Sequence, residues 1–196
     1  MNTRLTILLA GAAAVVASAT FAGPLTRARY ETPKYQVETK DGAFEIRKYP
    51  AVVIASAGMT TEARAQDSTF MQLFKYISGE NEKGRKIKMT TPVFTTTEGS
   101  GRVMSFVVPV SVVKDGVPRA SNSNIVTTER AAGRFAVYRY SGRWTESREA
   151  TARERLIAWA KENGLELIGS FEKANYDPPF TPPVLRRNEI LFRIRE

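Results

Sequence analysis

Four prolines in six positions, Pro178, Pro179, Pro182 and Pro183, stand just ahead of the last apolar stretch of this 196-residue chain. Proline fixes φ and gives up its backbone donor. The run Tyr176-Asp-Pro-Pro-Phe-Thr-Pro-Pro-Val-Leu-Arg-Arg-Asn-Glu-Ile190 therefore forms neither a helix nor a central strand. It predicts a stiff, extended lip, flanked by the rings of Tyr176 and Phe180, lying over another part of the fold. Beyond it, Ile190, Phe192 and Ile194 alternate with Arg193 and Arg195. That alternation predicts a terminal strand over 189–194 with one buried and one wet face.

A second constraint lies in Tyr76-Ile-Ser-Gly-Glu-Asn-Glu-Lys-Gly-Arg-Lys-Ile-Lys-Met-Thr-Thr-Pro-Val93. A helix with Phe70, Leu73, Phe74 and Ile77 on one face stops at Gly79, and the chain re-enters as an extended segment through Pro92. A second helix over 145–163 puts Ala152, Leu156, Trp159 and Ala160 on one face and ends at Gly164. Alternation predicts further strands over 44–49, 52–58, 103–110 and 134–140. Similar strand phrases, Phe44-Glu-Ile-Arg-Lys-Tyr49 and Phe135-Ala-Val-Tyr-Arg-Tyr140, precede the two helices. They suggest a duplicated strand–helix–strand–strand unit. Two such units joined edge to edge give an α+β fold, a curved sheet or barrel with a helix against each half.

In this order, these phrases resemble the SOUL/haem-binding protein family. The resemblance rests on Phe44-Glu-Ile-Arg-Lys-Tyr-Pro50, the helix ending Tyr76-Ile-Ser-Gly-Glu-Asn81, Lys86-Ile-Lys-Met-Thr-Thr-Pro-Val93, the strand from Met104 to Val110, and the proline run with Arg186-Arg-Asn-Glu189. It implies a SOUL-type distorted β-barrel of two strand–helix–strand–strand repeats with two flanking helices, over 35–196. It also implies a haem groove between the first helix and the strands near the lip. Carried over by position, the groove takes Phe70, Phe74 and Lys75 from the helix and Tyr176 and Phe180 from the lip. Met71, one turn before Lys75, adds a soft sulfur on the same edge. Some members carry Met where this chain has Phe70 and Phe74, and one subgroup uses a His ligand that this chain lacks.

The chain has no histidine and no cysteine. That removes Ser-His-Asp and Cys-His nucleophiles, a typical zinc site and the usual haem ligands. Met71, Met89 or a tyrosinate such as Tyr176 is left as a weak iron ligand at most, and no structural metal is expected. Gly79 and Gly84 followed by Arg85-Lys86 miss the phosphate-loop pattern, lacking its Ser/Thr and following a helix instead of a strand. Asp177 reads as a turn acceptor and Glu189 as a partner for a nearby arginine. Lys75 either pairs with a haem propionate or is a solvated helix lysine.

At the N-terminus, Asn2-Thr-Arg4, an apolar stretch over 5–17 and Thr20-Phe-Ala22 read as a signal peptide over 1–22. Ala17-Ser-Ala19 is a competing cleavage site, and an uncleaved anchor is the competing interpretation. Residues 23–34 read as a linker. The expected location is periplasmic or secreted, and the net charge of +9 favours anionic small molecules or a membrane surface over nucleic acid. The function expected is non-catalytic binding of haem, a related tetrapyrrole or another amphipathic anionic small molecule by a monomer, with peripheral membrane contact as an addition. The alternatives are an enzyme acting on a small hydrophobic molecule and an envelope interaction module.

Overall fold

The computed structural model describes residues 29–59, 65–98 and 101–196. The expected signal peptide over 1–22 lies outside the described residues. The described residues form nine strands: β1 (Gln36–Asp41), β2 (Phe44–Tyr49), β3 (Val52–Met59), β4 (Val93–Glu98), β5 (Gly101–Val107), β6 (Ile125–Arg130), β7 (Gly133–Tyr140), β8 (Leu167–Asn175) and β9 (Asn188–Ile194). The helices are α1 (Ala65–Ser78), the short α2 (Val110–Lys114) and α3 (Glu146–Glu162). Among the described residues no helix is long and apolar enough to cross a membrane.

Both long helices form where the spacing predicts. Leu73, Tyr76 and Ile77 of α1 are buried, and the chain turns at Gly79 with φ 122°. The buried Asn81 explains the phrase that follows. Its amide donates to the carbonyls of Tyr76 (3.0 Å) and Arg85 (2.7 Å), and its Oδ1 accepts from the backbone of Lys83 and Arg85. One side chain thus closes the helix end and shapes the turn. In α3 the Thr145 side chain accepts from the Arg148 amide, and Ala152, Leu156, Trp159 and Ala160 are buried as expected.

All sheet pairings are antiparallel, in the order β1-β2-β7-β9-β8-β4-β5-β3-β6. The ladder is open, with β1 and β6 at its ends, so the expected hydrogen-bonded barrel is corrected to an open sheet in an α+β fold. The sheet is nonetheless rolled. β2 and β3 stand near opposite ends of the order yet are joined through Pro50 and Ala51 alone, and β6 and β7 through Ala131 and Ala132 alone. A flat sheet cannot span that distance with two residues.

The duplication is also longer than its phrases suggest. β2-β3-α1-β4-β5 and β6-β7-α3-β8-β9 are equivalent units, and exchanging them reverses the order from β2 to β6 onto itself. The repeat is strand–strand–helix–strand–strand, and the counterpart of β7 is β3, not β2.

Three apolar clusters follow from the roll. One packs α1 on β3 and β5, and one packs α3 on β7 and β9, with Trp159 stacked on Phe44 at 5.1 Å. The third fills the inside of the roll with Tyr49, Phe94, Phe135, Val137, Tyr176 and Leu191. Part of the expected linker is docked on this body. Glu31 accepts from the Thr91 amide through its carbonyl (2.9 Å) and from the Val110 amide through its carboxylate (3.0 Å).

Candidate functional site

The lip is fastened as its composition requires. Asp177 Oδ2 accepts from the Arg187 amide at 2.6 Å, and Thr181 N donates to the Pro178 carbonyl at 3.0 Å. Pro183–Leu185 form a single 3-10 turn. Arg186 donates to the carbonyls of Thr181 and Pro179, and Gly142 N donates to the Pro183 carbonyl, tying the lip to the loop between β7 and α3. Proline rigidity and these bonds hold a fixed rim over the sheet.

Between this rim and α1 lies a cleft of about 680 Å³. Its helix wall is Asp67, Phe70 and Phe74, and its floor is Met89, Val93, Thr95 and Met104. Arg143 and Trp144 close one side, and the lip contributes Tyr176, Asp177, Pro178, Pro179 and Arg186. The Phe70 and Phe74 rings are nearly parallel, with centroids 6.1 Å apart, and Phe70 also meets Phe106 edge-on at 5.2 Å. The volume falls within the range of small-molecule sites, about 300–1,000 Å³. Its charges are mixed, with two arginines and two aspartates among the lining residues.

Of the residues singled out from sequence, Phe70, Phe74 and Tyr176 come together on this cleft. Met71, Lys75 and Phe180 lie outside its lining; Met71 is 47% exposed and Phe180 78% exposed. The cations at the cleft are Arg143 and Arg186 instead of Lys75. Arg186 was legible inside the proline run, but Arg143 and Trp144 sit in a loop whose sequence carries no periodic signal.

The Tyr176 ring borders the cleft, but its hydroxyl points inward, donating to Glu189 Oε2 at 2.9 Å. Burial pushes that hydroxyl's pKa well above the ordinary tyrosine value, and the Glu189 charge adds to the effect. Tyr176 is therefore neutral and engaged, and does not offer a tyrosinate to a metal. Glu189 is fully buried and makes a two-pronged pair with Arg47, at 2.8 and 2.9 Å. Arg187 Nε adds a bond to Oε1 at 2.8 Å. Burial alone would raise the Glu189 pKa, but the bonds and charges of Arg47 and Arg187 outweigh it and hold the carboxyl below its ordinary range. With both oxygens doubly engaged, Glu189 is a structural anion, not a poised base.

Trp144 is set by its Nε1 donating to Glu149 Oε2 at 2.7 Å, with the Lys173 ammonium 3.8 Å from its ring centroid. Lys173 is buried, and desolvation lowers its pKa from 10.5 to about 8 despite Glu149 at 3.8 Å. Between these values the folded chain binds fewer protons than the unfolded one, so stability rises with pH. Above pH 10 it falls again, because burial pushes Tyr49 and Tyr140 up to about 12. The urea midpoint should accordingly rise between pH 8 and 9.5 by an amount worth about 1.5 kcal/mol. Lys173→Met should flatten that rise; equal profiles for the two proteins would contradict this assignment.

The sequence pattern of the SOUL heme-binding protein family matches residues 30–193. Heme-binding protein 2 from Homo sapiens is 28% identical over 181 residues, covering 85% of this chain and 86% of its own length. Among solved structures, the EcmrR C-terminal domain superposes with a TM-score of 0.56 at 15% identity, covering 83% of this chain and 98% of that domain. A hydrolase from Listeria innocua gives 0.53 at 8% identity, over 81% of this chain and 94% of that one. At these identities both structures speak to the fold alone.

Proposed function

This chain belongs to the SOUL heme-binding protein family, and we propose that the cleft between α1 and the lip reversibly binds haem or a related tetrapyrrole, without catalysing a reaction on it. The observation that supports this most is the conjunction of a parallel phenylalanine pair, a tryptophan wall and two arginines around one cleft of about 680 Å³. Phe70 and Phe74 would give a flat macrocycle an apolar face, and Arg143 and Arg186 would pair with its carboxylates. Guanidinium matches carboxylate in a two-pronged geometry, which a lone lysine does not. Met89 and Met104 put soft sulfurs at the floor, and no imidazole or thiolate is available. Haem itself supplies the iron and the colour; this chain contributes apolar cover and charge pairing. Binding is therefore modest and open to competition from other flat, amphipathic anions. The basic, apolar and small-residue succession over 1–22 supports export of the domain to the periplasm or beyond.

Charge reversal tests the residue assignment. Arg143→Glu should weaken hemin binding, followed by its Soret band, about tenfold, because an attraction becomes a repulsion at the side of the cleft that Arg143 closes. Lys75→Ala should change it less than about twofold, since Lys75 lies outside the lining. The opposite ranking would move the site to the other edge of α1.

A further inference from the structure

A second cleft, of about 870 Å³, lies against the other helix, between α3, β7 and the turn at Gly42 and Ala43, and is roofed by Val184 and Leu185 of the lip. Arg139, Arg148, Arg155 and Arg186 line it, and no carboxylate among the described residues does. Elsewhere Arg47, Arg102, Arg130 and Arg187 are each neutralised by a glutamate. These four have no ion pair among the described residues, yet three of them are held in place by neutral oxygens. Arg155 Nη1 donates to the Tyr138 hydroxyl at 2.9 Å, Arg148 Nη1 to the Ser141 carbonyl at 3.4 Å, and Arg186 Nε to the Thr181 carbonyl at 2.8 Å. Such bonds orient a guanidinium without cancelling its charge.

The backbone makes room for this arrangement. Gly142 adopts φ 113°, and any Cβ there would collide with the Arg148 guanidinium. At the floor, Tyr138 and Tyr140 stack 6.2 Å apart, and the shielded Tyr140 hydroxyl has no hydrogen-bond partner among the described residues. The nearby Glu149 is taken by Arg102, Trp144 and Lys173. Convergent, oriented and uncompensated guanidiniums are the arrangement that recognises phosphate or several carboxylates.

We propose that the α3 cleft is a second ligand site, sharing only Arg186 with the lining of the tetrapyrrole cleft, for a small anion carrying two or more negative charges as phosphate or carboxylate groups. That chemistry is shared by free phosphate compounds and by the headgroup of an acidic lipid. The test is calorimetric titration of the full domain with inorganic pyrophosphate at roughly 0.15 M salt, where diffuse surface attraction is screened. A parallel sedimentation assay uses phosphatidylcholine vesicles with and without phosphatidic acid. The site predicts saturable pyrophosphate binding or phosphatidic-acid-dependent sedimentation, weakened about tenfold or more in the Arg148→Gln/Arg155→Gln double variant. Both side chains are exposed, so folding should survive, and hemin binding by the double variant should stay within about twofold of the parent. Pyrophosphate binding without sedimentation identifies a soluble ligand, and sedimentation identifies a headgroup. Absence of both, or binding that the double variant retains in full, overturns the proposal.

Discussion

Glu189→Gln should destabilise the domain by about 3–5 kcal/mol, read as a shift of the urea midpoint at neutral pH. Glu189 is 0% exposed and Arg47 1% exposed, so both charges are already out of water. Neutralising the carboxylate leaves the buried Arg47 with Glu45, bonded to its Nε at 2.6 Å, as its one remaining acidic partner among the described residues, and removes the acidic partner of the half-buried Arg187. Desolvated guanidinium is what costs most here; the lost hydrogen bonds add to it. The pair also joins β2 to β9 across β7, and its loss loosens the strand that follows the lip. The pH dependence carries a sign. Because the folded-state pKa of Glu189 lies below its ordinary value of 4.5, its stabilising contribution is present above that value and is lost as the pH falls through the depressed one. The Gln variant should therefore lose part of the acid sensitivity of the parent, and an unchanged acid limb would contradict the pairing as the source.

Phe74→Glu should raise the hemin dissociation constant tenfold or more, equivalent to about 1.4 kcal/mol or above, while leaving the fold intact. Phe74 is 41% exposed and makes its ring contact with Phe70, so the fold has little invested in it. Phe70, by contrast, is wedged against Phe106 of β5, and changing it confounds binding with stability. A carboxylate at 74 both removes an aromatic face and repels the ligand's own acids. Circular dichroism identifies a folded variant, and a folded variant that binds hemin as well as the parent would place the ligand elsewhere.

The elements legible in the sequence were those whose burial follows a regular period. α1 and α3 bury one stripe each, and β2, β3, β5, β7 and β9 fall on or near the expected segments. The missed strands lack that signal for separate reasons. β1 is exposed at every position, so no alternation arises. β6 is buried only at its two ends, and β4 is largely threonine. In β8 the register slips between Ile168 and Glu172, and a bulge puts the alternation out of phase. The expected strand over 103–110 stops at Val107 because Pro109 ends the ladder and Val110 begins α2.

The site was half legible. The resemblance nominates Phe70 and Phe74, which line the cleft, and Lys75, which does not; helical spacing, which also brought in Met71, does not say which edge of α1 the lip approaches. Arg143 and Trp144 reach the cleft from a loop held by the Gly142 bond to the lip and by the Trp144 bond to Glu149, tertiary contacts with no local trace. The offset of the repeat by one strand was also not legible: β2 and β7 share a phrase although they pair with each other and are not equivalent in the repeat.

On the proposed function, the space between α1 and the lip takes a flat tetrapyrrole acid without a strong iron ligand. Adding hemin to the purified domain while recording the Soret region tests it most directly. Saturable one-to-one binding is expected at micromolar hemin, with a shifted band that lacks the signature of histidine or thiolate ligation. A Soret region that responds no differently from hemin in buffer, with the domain folded, would contradict it.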